Sequence, residues 1–130
     1  MEDITDIDDI KLFVNDFYTK VQTDELLAPI FALRIANGKW DVHLNRMYVF
    51  WNTILFAQQG YSGNPFAKHL GLPLKKEHFT RWVSLFQATI DVHFEGEKAN
   101  EAKWRAAQMG LLFSSKMEYF NKNPAAKPIL

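Results

Sequence analysis

The sequence predicts an all-α fold, and three observations carry that prediction. Apolar residues recur at spacings of three and four in several separate stretches, as on one face of an α-helix. No segment alternates convincingly at period two, as a half-buried strand would. The strongest breakers, Gly38, Gly60, Gly63, Pro65, Gly71, Pro73 and Gly96, fall between those stretches.

The first helix is expected to start after Thr5 or Asp6. Thr5 and Asp8, three apart, form a variant of the capping box. Ile10, Phe13, Val14, Phe17, Tyr18 and Val21 then make one apolar stripe. Tyr18 lies on it. A buried tyrosine usually finds a hydrogen-bond partner, so Tyr18 reads either as core with its hydroxyl on the backbone or as a hydroxyl facing a pocket. After a polar turn at Thr23-Asp24, Pro29 inside Leu26–Phe31 calls for short helical turns and a bend.

Asn37-Gly38 signals a loop. A long helix follows, from about Lys39 to Gln59, with Trp40, His43, Leu44, Met47, Phe50, Trp51, Ile54 and Leu55 in register and Gly60 expected to end it. His43 sits on the buried stripe. It reads as a hydrogen-bonded core histidine or as a polar group in a pocket. Arg46 stands at the apolar–polar border. From there it is either a solvated charge or a guanidinium reaching a carboxylate at a pocket mouth.

The stretch Tyr61 to Pro73 reads as a loop feeding one turn of helix. Asn64 can cap that turn, Pro65 suits its first position, Gly71 can end it and Pro73 blocks its continuation. His69 is thereby held on a short, tightly punctuated segment, where a neutral imidazole is a possible metal ligand.

Lys75-Lys76-Glu77-His78 opens the next helix, which carries Phe79, Trp82, Val83, Phe86, Thr89 and Ile90 on one face. If buried, the Trp82 indole needs an acceptor for its one N–H. His78 and His93 are assigned no site role. Gly96 breaks the chain before a last helix from about Glu97 to Asn121, with Ala99, Ala102, Ala106, Met109, Phe113, Met117 and Phe120 in register. Its Ala-rich first half suits close packing against a neighbour. The stretch from about Asn123 reads as a frayed tail.

At 130 residues, a single domain over 1–130 is expected. Aromatic residues make up 15%, enough either to fill a core or to line a pocket for a large flat ligand. Fifteen basic residues balance fifteen acidic ones, so nothing argues for nucleic acid or an anionic membrane surface. No apolar run approaches the ~18 residues of a membrane span. The acidic N-terminus lacks an apolar signal core, which points to a cytoplasmic location. Without cysteine there are no disulfides, thiolate ligands or thioether attachment sites.

Four places, in chain order, resemble the group III truncated haemoglobins. Phe17-Tyr18-Thr19-Lys20-Val21 with Leu27-Ala28-Pro29-Ile30-Phe31 resembles the family's second helix and bend. Trp40-Asp41-Val42-His43 with Phe50-Trp51 resembles its distal helix. Gly60 to Pro73 resembles its proximal loop and helix. Phe79-Thr80-Arg81-Trp82 with Leu85-Phe86 resembles the next helix and its distal-side tryptophan. The Gly-Gly motifs of the other truncated groups are missing, as is common in group III.

The resemblance implies a two-over-two helical sandwich around a non-covalent haem b (iron protoporphyrin IX). His69 would be the proximal iron ligand. Tyr18 and Trp82 would be the distal hydroxyl and indole, and His43 the distal or gating histidine. Phe17 and Phe31 would pack on or near the haem, with Met47 and Phe86 as further cofactor contacts. Arg46, and Lys68 as a second candidate, would face its carboxylates. The expected partners are dioxygen, nitric oxide and carbon monoxide, with an electron-donating reductase for any turnover, and a monomer is expected. Two donors from different helices favour tight ligand retention over bulk transport. The same site serves an alternative, a haem enzyme with peroxidase-like or nitric oxide dioxygenase activity. A haem-free helical interaction module, with the aromatics as core, is the reading from a different class.

Overall fold

The structure is a computed structural model that describes residues 1–35, 38–63, 65, 66 and 72–123. Five helices follow in order: α1 (Ile7–Thr23), α2 (Ala28–Arg34), α3 (Trp40–Phe56), α4 (Lys76–His93) and α5 (Glu97–Lys122). The described residues contain no strand. The chain is all-α, as its periodicities predict.

Three of the helices start for an identifiable reason. Asp6, rather than Thr5, caps α1 by accepting from the Asp8 and Asp9 N–H groups. Asp9 completes the exchange one residue earlier than a capping box would, accepting from the Thr5 N–H and hydroxyl. Asp24 lies between α1 and α2. Its Oδ2 accepts from the Leu26 and Leu27 N–H groups, and its Oδ1 pairs with the Arg81 guanidinium at 2.6 Å. Pro29 sits in the first turn of α2, where its missing N–H costs nothing. Asp3 comes from the far end of the chain to cap α5, accepting from Lys98 and Ala99. A Cβ on Gly96 would stand 2.5 Å from Asp3 Cγ, so glycine at this position lets the cap approach.

α3 ends at Phe56, earlier than Gly60 suggests. Ala57 takes the left-handed position after it, with φ 55°. That conformation crowds Cβ against the following carbonyl and costs about 1–2 kcal/mol in a non-glycine residue.

The helices pack as two antiparallel pairs, α1 with α3 and α4 with α5, crossed through α1 on α4 and α3 on α5. Ala99, Ala102, Ala106 and Gly110 form the buried stripe of α5, so its backbone lies close to α4. A Cβ on Gly110 would stand 2.5 Å from Val83 Cγ2. The main core is aromatic: Phe13 contacts Trp51, Phe86 and Phe94 edge-on, and Trp51 stacks on Phe86 at 4.8 Å. A smaller cluster of Ile30, Phe66, Leu74, Phe79 and Met117 lies against the other end of α4 and α5. Among the described residues no helix is long and apolar enough to cross a membrane.

Candidate functional site

A cavity of about 550 Å³ opens between the two helix pairs. That volume falls within the roughly 300–1,000 Å³ of ligand and cofactor sites. α1 contributes Tyr18, α2 Phe31 and Arg34, α3 His43, Arg46 and Met47, and α4 His78, Phe79 and Trp82; Gly110 and Phe113 of α5 close one side.

Tyr18 and Trp82 bring polar groups from α1 and α4 to one part of the lining. Tyr18 is buried, and the Trp82 indole lies beside its hydroxyl. Indole is a donor only, so between the two groups Trp82 can only donate and the Tyr18 oxygen accept, which leaves the phenolic proton free to be donated elsewhere. Burial pushes the Tyr18 hydroxyl well above the ordinary tyrosine range, and the neighbouring Trp82 N–H only partly offsets this. The group therefore stays protonated at any physiological pH. The His43 ring stands edge-on to Tyr18 at 4.8 Å, and Phe31 and Trp40 pack around the pair.

The rim has the opposite character. Arg34, Lys39 and Arg46 line it, and the described lining includes no aspartate or glutamate. Tyr61 joins them. Burial raises its hydroxyl above the ordinary range, and the nearby Arg46 charge pulls it back in part.

The structure brings Tyr18, Phe31, His43, Arg46, Met47 and Trp82 to one cavity. Phe17 and Phe86 are not in its described lining. They are buried one layer behind, with Phe17 edge-on to Tyr18 at 4.8 Å and to Trp82 at 5.6 Å, and Phe86 stacked on Trp82 at 5.8 Å. Their contact is with the side chains that form the wall and with each other, at 5.3 Å, and Phe86 also packs on Phe13 and Trp51. His69 and Lys68 lie outside the described residues, as does the helical turn expected around them; Pro65 and Leu72 line the cavity from either side of that stretch.

Sequence reasoning missed His78. The ring is buried in the cavity lining, and its Nδ1 accepts from the Lys75 N–H at 2.9 Å. In the neutral imidazole this places the proton on Nε2. The signal was its third position in α4, where a side chain can reach back to the backbone before the helix. His93, by contrast, pairs with Asp16 at 2.8 Å and is not in the described cavity lining.

Known proteins resemble both this chain and this arrangement. The family model for bacterial-like globins matches residues 2–111. The chain belongs to that globin family. It is 32% identical over 102 residues to the group 3 truncated hemoglobin of Campylobacter jejuni, covering 76% of this chain and 80% of that protein. The crystal structure of group III truncated hemoglobin from Campylobacter jejuni matches with a TM-score of 0.82 at 29% identity, covering 89% of this chain and 94% of that one. The fold is accordingly that of a truncated globin.

Membership of a globin family implies haem binding, and the globin's own side chains fit such a group. A haem needs a space that is apolar for its macrocycle, cationic where its carboxylates emerge and supplied with donors where a small ligand binds. The Phe31, Met47, Phe79 and Phe113 lining, the Arg34–Lys39–Arg46 rim and the Tyr18–Trp82 pair meet those three demands.

Proposed function

We propose that this globin binds a b-type haem non-covalently and uses it to hold dioxygen or nitric oxide tightly. The observation that carries the reading is the Tyr18–Trp82 pair, two polar groups from different helices meeting on the cavity wall. His69 would be the iron ligand, with Arg46 and Lys68 toward the carboxylates. When bound, the haem supplies an iron with one position open to a diatomic ligand. The chain does the rest. Tyr18 presents its phenolic proton, and Trp82 orients that hydroxyl from behind or turns its own N–H to the ligand. Each donor contributes about 1–2 kcal/mol, more where the ligand carries negative charge. Together they slow ligand release by a factor of about ten or more.

His43 favours a second reading, in which the same site turns over. Its ring lies against Tyr18 at 4.8 Å and lines the cavity. From there an imidazole can deliver or accept a proton near the ligand. Peroxidase-like or nitric oxide dioxygenase activity would then need an electron donor from outside the chain.

The test is His69→Ala. The variant should keep its helical spectrum yet lose histidine–iron ligation in its resonance Raman and absorption spectra. Retained five-coordinate histidine ligation would overturn the assignment of His69. Measuring nitric oxide consumption with and without an added reductase separates binding from turnover.

A further inference from the structure

We propose that the exposed face of α5 is a homodimer interface, in which two copies pair their α5 helices antiparallel about a two-fold axis between Leu111 and Leu112. The helix has two faces. Its small and apolar residues Ala99, Ala102, Ala106, Gly110 and Met117 are buried against the body of the molecule. The other face is also apolar, yet it lies open: Trp104 is 57% exposed, Leu111 64%, Leu112 51% and Tyr119 56%. These four recur at spacings of seven and eight, so they form one stripe along about 15 residues, or about 22 Å at the 1.5 Å rise of an α-helix. Singly exposed apolar residues are ordinary, but a continuous row of two leucines and two large aromatics marks an interaction surface.

The order of residues along the stripe says what occupies it. A two-fold interface requires that each residue meet its counterpart reciprocally. With the axis between Leu111 and Leu112, an antiparallel copy of α5 sets Leu111 level with the partner's Leu112. It sets Gln108 level with the partner's Ser115 and Trp104 level with the partner's Tyr119. The same register brings Arg105 level with the partner's Glu118 and Glu101 level with the partner's Lys122. Along the stripe apolar meets apolar, Gln108 meets Ser115, and Arg105 and Glu101 each meet an opposite charge.

The neighbouring groups agree with this register. Arg105 lies over the neighbouring Trp104 ring, 5.6 Å from its centroid. Lys116 comes level with the partner's Ala107 and lies over the Phe66 ring within its own chain at 5.2 Å. Glu101 and Glu118 already attract Arg105 and Lys122 one turn away on the same helix, at 3.8 and 2.9 Å. Pairing would merge these into a four-charge network at each end. The seven-residue recurrence of Trp104, Leu111 and Glu118 matches the repeat that keeps a helix pair in contact. The result is a dimer where the sequence alone suggests a monomer.

The test is the molar mass of the intact protein by light scattering and sedimentation, from micromolar to near-millimolar concentration. The parent should pass from monomer toward dimer over that range. Leu112→Glu, which enters a two-fold interface twice, should raise the dimer dissociation constant more than about tenfold. Glu118→Arg should raise it about fivefold or more, by facing the partner's Arg105 with a like charge. Combining Arg105→Glu with Glu118→Arg should bring it back to within about threefold of the parent. That exchange leaves both attractions within each helix broken, so recovery arises only across the interface. Thermal unfolding of the variants at low concentration checks that the monomer still folds. A parent that is monomeric at every concentration overturns the proposal. So does a dimer that tolerates Leu112→Glu, or one that the charge exchange does not restore.

Discussion

Replacing Tyr18 by Phe removes one oxygen from the polar spot of the cavity and tests whether that oxygen acts on the ligand. The aromatic ring stays, with its contacts to Phe17, Phe31 and His43. A hydrogen bond to a charged partner contributes about 1.5–3 kcal/mol, which alone would speed dioxygen release roughly 10- to 150-fold. The structure argues for the lower end. The Trp82 N–H beside the Tyr18 hydroxyl remains after the substitution and can turn to the ligand. The expected change is therefore about tenfold. Trp82→Phe alone should give a smaller effect, because Tyr18 keeps its proton. The double variant should exceed either single change and depart from additivity, since both donors serve one ligand. Stopped-flow displacement of dioxygen by carbon monoxide reads these rates directly. An off-rate within about twofold of the parent, or about 0.4 kcal/mol, would refute the reasoning and leave Tyr18 as a core residue. The same variant has a stability signature. Because burial raises the Tyr18 hydroxyl above its ordinary value, the folded state resists losing that proton while the unfolded chain gives it up near pH 10. The parent should lose stability as pH rises past about 10, and Tyr18→Phe should lack that component.

Two further substitutions test the scaffold by thermal or denaturant unfolding. Asp24→Ala removes the acceptor of the Leu26 and Leu27 N–H groups and the partner of Arg81, and should destabilise the fold by about 2–4 kcal/mol at neutral pH. Burial pushes the Asp24 carboxyl up, but the Arg81 and backbone hydrogen bonds outweigh this and hold it below the ordinary value. Its stabilisation is present above that ordinary value, near pH 4, and is lost as pH falls through the folded one, so the gap between parent and variant should close in acid. Ala57→Gly should stabilise by about 0.5–1 kcal/mol, the relief of the left-handed cap less the added freedom of the unfolded chain. A loss of stability there would show that α3 ends elsewhere.

The helices were legible because their information is local. Stripes such as Phe13, Phe17 and Val21, or Phe86 and Ile90, declare a helix and its buried face without knowledge of the partner. Helix ends were less legible. Gly60 looked like the stop for α3, but Ala57 turns the chain first. Asp3 caps α5 from more than 90 residues away, which spacing cannot reveal. Tyr18, His43 and Trp82 become candidate distal residues only through the resemblance to a family. Periodicity alone left each divided between core and pocket. Phe17 and Phe86 show the limit of a shared stripe, since it sets the buried face but not which layer a ring joins. Arg34, Lys39 and Arg46 come from two helices and the loop between them, and only the folded chain gathers them into one cationic rim.

The most direct test of the central claim is a haem titration of the purified chain followed by its Soret absorption, with reduction and carbon monoxide at the end point. The account predicts saturation at one haem per chain, a sharp Soret band and a carbon monoxide adduct. No saturable uptake by a sample that keeps its helical spectrum would contradict it, and the cavity between the helix pairs would then need another ligand.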